Sequence, residues 1–172
     1  MCIRDRLNDA VKQLKGEEVE EDFETTVELD IDAYIPASYI RNEVQKLDVY
    51  KRIAAIGNDE DYDEMADELI DRYGELPRPA ENLLAVALLK AQAHDAGVTQ
   101  LVQHGTETKI MMYERAGVDI RRIPPLLEKY GRRMKFTGQP KPYFTVKLDK
   151  TSAAEVLKCE KSVIKDIKTL ID

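Results

Sequence analysis

A chain of 172 residues with 43% hydrophobic side chains can bury one core, and its 34% charged content is that of a helix-rich soluble protein. The longest apolar run, residues 83–89, is far too short to span a bilayer, and the first residues lack a secretory pattern. Cys2 and Cys159 have no CxxC spacing and no nearby histidine, which argues against a disulfide scaffold or a zinc site and for a reducing cytoplasm. The net charge of −7 is unevenly spread: residues 1–75 carry 22 acidic and 9 basic side chains, residues 76–172 carry 11 and 17. DNA phosphates would repel the first half, whereas the second is only mildly basic.

Residues 7–14 read as the end of a helix that Gly16 stops, and residues 17–24 as an acidic connector. Residues 25–32 alternate, with Val27, Leu29 and Ile31 on one face, so a half-buried strand is expected up to Pro36. Asn42 with Gln45 forms a capping-box pattern, and a helix should run to Gly57, burying Val44, Leu47, Tyr50, Ile53, Ala54 and Ile56. Asp59 is the expected cap of the next helix, whose inward stripe is Tyr62, Met65, Ala66, Leu69, Ile70 and Tyr73, with Gly74 as its stop. Pro79 should open a third helix reaching Ala96. It is apolar nearly all round and therefore central.

Residues 98–103 and 107–113 predict a hairpin about Gly105. Residues 119–130 predict a short helix; its tandem Pro124 and Pro125 fit only a first turn. Residues 133–137 and 143–148 read as two strands around a turn at 138–142. Thr151 or Ser152 should cap a last helix with Val156, Cys159, Val163, Ile164, Ile167 and Leu170 inward. The expected fold is α+β: a small mixed sheet of about five strands packed with about five helices in one compact domain.

No GxxxxGK[ST] loop and no GxGxxG are present, and His94 and His104 lack a neighbouring nucleophile and carboxylate in a catalytic arrangement. The acidic residues around Asp59 to Asp71 lack EF-hand spacing. They fit a solvated acidic start to a helix, which favours the macrodipole. One feature argues for a docking face as well: Glu68 and Asp71 sit about 60° apart on the helix, pointing away from its apolar stripe. Two such carboxylates suit the arginines of a partner. The basic residues Arg121, Arg122, Arg132, Arg133, Lys135 and Lys141 have few aromatics among them, which disfavours a base-stacking platform but leaves phosphate or acidic contacts open.

The ordered runs AYIPASYI (33–40), KLDVYKRIA (46–54), ELIDRYG (68–74) and NLL (82–84), with Glu43 and Pro77 between them, resemble the C-terminal domain of the bacterial transcription-repair-coupling factors (Mfd). The likeness is strong over residues 26–97 and loose beyond. LNDAVKQLKG (7–16) resembles the tail of the preceding translocase module, and MCIRDR (1–6) departs from the family, where a longer helix is expected. The resemblance divides the chain into residues 1–24, a translocase remnant plus acidic linker, and residues 25–172, the regulatory domain. It implies a parent that uses ATP and Mg to push stalled RNA polymerase along double-stranded DNA and recruits the excision-repair protein UvrA. This domain would need no cofactor and would catalyse nothing. It would fold back on the N-terminal UvrB-like region, mask the UvrA-binding surface and restrain the motor, with Glu68 and Asp71 facing arginines of that region. The alternative is a nucleic-acid-binding module using the basic C-terminal half.

Overall fold

The computed structural model describes residues 23–138 and 141–171. The helix end at 7–14, the connector up to residue 22, and residues 139–140 of the 138–142 turn lie outside the described residues. The order is β1 (Thr26–Glu28), α1 (Glu43–Ala54), α2 (Asp59–Tyr73), α3 (Arg78–Asp95), β2 (Val98–His104), β3 (Glu107–Met112), a 3-10 turn (Ile120–Arg122), α4 (Ile123–Tyr130), a second 3-10 turn (Gly131–Arg133), β4 (Met134–Thr137), β5 (Tyr143–Lys147) and α5 (Ala153–Lys168). The fold is α+β, with a five-stranded mixed sheet in the order β1-β2-β3-β5-β4. β1 runs parallel to β2 and the other pairs are antiparallel.

β1 is shorter than the alternation of residues 25–32 predicts. Beyond Glu28 the Asp30 N–H donates to the side-chain Oε1 of Gln103 at 2.9 Å, so a side chain replaces the ladder and ends the strand. The start of β1 is anchored instead: Phe23 stacks on Tyr113 at 4.7 Å, and Thr25 meets His94 Nδ1 at 3.1 Å. His94 is thus structural. Gly97, between α3 and β2, has φ 77°, and a Cβ there would lie 2.7 Å from Ala116 Cβ. Only glycine meets both demands.

Two apolar clusters share α3. Its first turns carry Leu84 and Leu88 into a cluster with Ile35, Ile40, Val49, Ile53, Met65 and Leu69. Its last turns carry Leu89 and Ala93 into the sheet core of Leu101, Ile110, Phe144, Val146, Ile164 and Ile167. This is the central helix that its composition predicts. The hairpin about Gly105 and the strand pair β4–β5 also stand where expected.

Four details differ from expectation. In α1, Val44 and Leu47 are 78% and 57% exposed and Ala54 is exposed, while Val49 is buried. A 3.6-residue period admits two stripes there. The inward one is chosen by Tyr50, whose hydroxyl accepts from the Ile35 N–H at 2.8 Å. In α2, Ile70 is 46% exposed, one position off the buried Met65–Leu69 line. The cap of α2 is Asn58, whose Oδ1 accepts from the Asp61 N–H at 2.8 Å, and Asp59 is the first helical residue. In α5, Glu160 is fully buried, whereas Cys159 is half-buried.

Candidate functional site

The outer face of α2 is an acidic stripe. Asp61, Glu64, Glu68 and Asp71 recur every three or four residues, so one side of the helix carries them all. The neighbouring side holds Met65 at 5% and Leu69 at 1% exposure, which anchors the helix on the core. Tyr39 reinforces its end: the one proton of the Tyr39 hydroxyl is shared between Leu69 O at 3.0 Å and Gly74 O at 2.8 Å. Gly74, at φ 91°, ends the helix so that Asp71 lies in its last turn.

Asp71 is exposed. Glu68 is only partly so, because the Arg52 guanidinium of α1 pairs with its Oε2. That hydrogen bond, with the Arg52 charge, holds the Glu68 carboxyl below its ordinary range. The two predicted site residues therefore share one face but not one environment. Between α1 and α2 lies an open groove of about 390 Å³, lined by Arg52, Ala55, Ile56, Asp61, Glu64, Met65 and Glu68. Its floor is apolar and its rim is charged.

Sequence reasoning missed Arg52 as the internal partner. The signal was available: KLDVYKRIA ends in a basic turn, and a helix hairpin brings that turn against the acidic helix that follows. It also missed Glu160, a charged residue four positions after Val156 and four before Ile164 on an otherwise apolar stripe.

The basic residues of the second half do not form one groove. Arg121 and Arg122 pair with Asp119 at 3.1 and 3.5 Å, and Arg122 also donates to Thr169 O at 2.5 Å. Arg133 pairs with Asp149 at 3.7 Å and donates to Cys159 Sγ at 3.8 Å. Lys135 stands on β4, one residue after the buried Met134 and so on the other face of the sheet. Lys129 and the Tyr130 hydroxyl both reach Asp166. Burial and that hydrogen bond push the Tyr130 hydroxyl well above its ordinary pKa. Among the described residues, no group of three or more His, Cys, Asp or Glu side chains is placed to hold a metal, and no helix is long and apolar enough to cross a membrane.

Residues 29–123 match the family model of the TRCF domain. The chain belongs to the TRCF domain family. Among its relatives, the transcription-repair-coupling factor of Bacillus subtilis is 34% identical over 131 residues, which cover 74% of this chain and 11% of that protein. The transcription-repair-coupling factor of Staphylococcus haemolyticus is 36% identical over 112 residues, covering 64% of this chain and 10% of that protein. The chain thus spans about a tenth of the length of the curated relatives it matches. The crystal structure of the C-terminal domain of a transcription-repair coupling factor superposes with a TM-score of 0.75 at 22% identity, covering 86% of this chain and 94% of that one. The TRCF domain match contains all of α1, α2 and α3, and with them the acidic face, the groove and Arg52.

Proposed function

We propose that this TRCF domain is a non-catalytic regulatory module of a transcription-repair-coupling DNA translocase. In this reading it docks through the acidic face of α2 on the N-terminal UvrB-like region of the same protein. Docking masks the UvrA-binding surface and restrains the ATP-driven motor. The parent would act in transcription-coupled nucleotide excision repair in the cytoplasm, on RNA polymerase stalled on double-stranded DNA. The observation that carries the reading is the rigid presentation of Glu68 and Asp71 on an anchored helix, beside a groove with an apolar floor.

The chemistry of docking follows from the Arg52–Glu68 pair. A partner arginine has two routes to the face. It can take Asp71 directly, and it can share or displace Arg52 on Glu68, since one carboxylate accepts from two guanidinium groups. Exposed pairs of this type hold only about 0–1 kcal/mol, so displacement is cheap. Replacing Glu68 and Asp71 with alanine in the full-length parent should raise its basal ATPase rate and its affinity for UvrA. Unchanged values for both, in a folded variant, would reduce the stripe to a solvated helix face.

A further inference from the structure

Glu160 belongs to none of this and sits where a carboxylate is hardest to keep. Its side chain is fully buried on the inward stripe of α5, between Val156 and the Val163–Ile164 pair. Its Oε1 accepts from the Thr108 hydroxyl of β3 at 2.6 Å, and among the described residues its Oε2 has no hydrogen-bond partner. A carboxylate ion with one hydroxyl donor in an apolar layer is strongly disfavoured, whereas the neutral acid leaves only one unmatched hydroxyl.

Among the described residues, no cation compensates the carboxylate. β3 presents Thr108 between Glu107 and Lys109, which are exposed on the opposite face. β2 presents Gln103 opposite Thr108, with its amide already engaged by Gly105 O and the Asp30 N–H. β5 presents Val146 opposite Thr108, between Thr145 and the exposed Lys147. α3 contributes Leu89 and Ala93 to the same cluster. On α5 itself, Lys161 points to Asp59 at 4.0 Å, and the flanking Cys159 thiol faces Arg133. Burial, opposed only by the Thr108 hydrogen bond, pushes the carboxyl up to about 7.

We propose that Glu160 is a proton-binding lock on α5: the helix seats fully on the sheet while this carboxyl is protonated and loosens when it ionises. The sign follows from linkage. A carboxyl that binds its proton more tightly in the folded than in the unfolded chain stabilises the fold at low pH, and the effect is lost as pH rises through neutrality. Because α5 closes the sheet core, the consequence is a domain whose last helix is held less firmly on the alkaline side of neutral.

The test is a side-chain carboxyl carbon NMR titration of the full chain, combined with urea unfolding at pH 5 and pH 8. The Glu160 signal should titrate near neutrality. The unfolding constant should rise on the order of 50- to 100-fold between the two pH values. Glu160→Gln should remove most of that rise, since subtracting it cancels every other titrating group. Amide exchange along residues 153–168, corrected for intrinsic rate, should quicken at pH 8 in the native chain and not in Glu160→Gln. Thr108→Val removes the one bond that favours the ion, and should move the titration further upward. That arm, with the native titration, keeps the test decisive if Glu160→Gln does not fold. A midpoint in the ordinary glutamate range near ~4.3, or the same pH dependence in Glu160→Gln, would overturn the lock.

Discussion

The guanidinium of Arg52 covers half of the candidate site, so the two carboxylates should respond differently to substitution. Arg52→Ala uncovers Glu68 at little cost to the fold, within about 1 kcal/mol for a pair this exposed. If docking is through Glu68, the variant should bind the UvrB-like region at least as tightly as the native chain, which a pairwise affinity comparison would read. The pair also has a pH signature. The Glu68 carboxyl is held below its ordinary value, so its contribution is present above the unfolded carboxylate pKa and lost as pH falls through the folded one. Glu160 runs the other way: with a folded value of about 7, its contribution is full below the unfolded value and lost through neutrality, on the order of 3 kcal/mol in all. Thermal midpoints from pH 3 to pH 9 should separate the two, because Glu160→Gln flattens only the neutral limb. Leu69, 1% exposed behind the acidic face, sets the scale for real damage: Leu69→Ala should cost about 2–5 kcal/mol in urea unfolding.

At the scale of the elements, α1 and α2 show what periodicity can and cannot select. The helices themselves were legible, because Asn42 with Gln45 and the stop at Gly74 are local chemistry. The buried side of α1 was legible in part: Tyr50, Ile53 and Ile56 lie inward as expected, whereas Val44 and Leu47 give way to Val49, because both stripes are apolar and a tertiary contact, Tyr50 to Ile35, decides between them. Replacing Val44 or Leu47 with serine should therefore change stability by no more than about 0.5 kcal/mol, whereas Ile53→Ala should cost about 2–5 kcal/mol. The cap of α2 divides in the same way. Asn58→Ala should cost about 1 kcal/mol through the lost bond to the Asp61 N–H, and Asp59→Ala much less. Chemical denaturation of the five variants checks all of these.

At the scale of the whole molecule, the order of elements and the α+β class were readable because strands and helices differ in period and are punctuated by Gly97, Gly105 and the Pro124–Pro125 pair. The joining of two apolar clusters through α3 was not, since nothing in a helix that is apolar all round says which turn faces which neighbour. The placement of Glu68 and Asp71 away from the apolar stripe followed from helical geometry alone, and the Arg52 contact was foreshadowed by the basic last turn of α1 next to an acidic helix, though the partner residue itself came only with the fold. Two expectations concern the whole chain: no ATP turnover, because it carries no GxxxxGK[ST] loop and no nucleophile–base arrangement, and only weak duplex DNA binding at physiological salt, because the acidic half repels phosphate. A coupled ATPase assay and a fluorescence anisotropy titration with a DNA duplex check them. The central claim, that the acidic face of α2 is a docking surface, is tested most directly by titrating this chain against the separately purified UvrB-like region of its parent. The native chain should bind saturably and more weakly as salt rises. The Glu68→Ala, Asp71→Ala double variant should lose about thirtyfold or more in affinity, as expected for desolvated charge pairs, with its urea midpoint unchanged. Equal affinity of the folded double variant would contradict it.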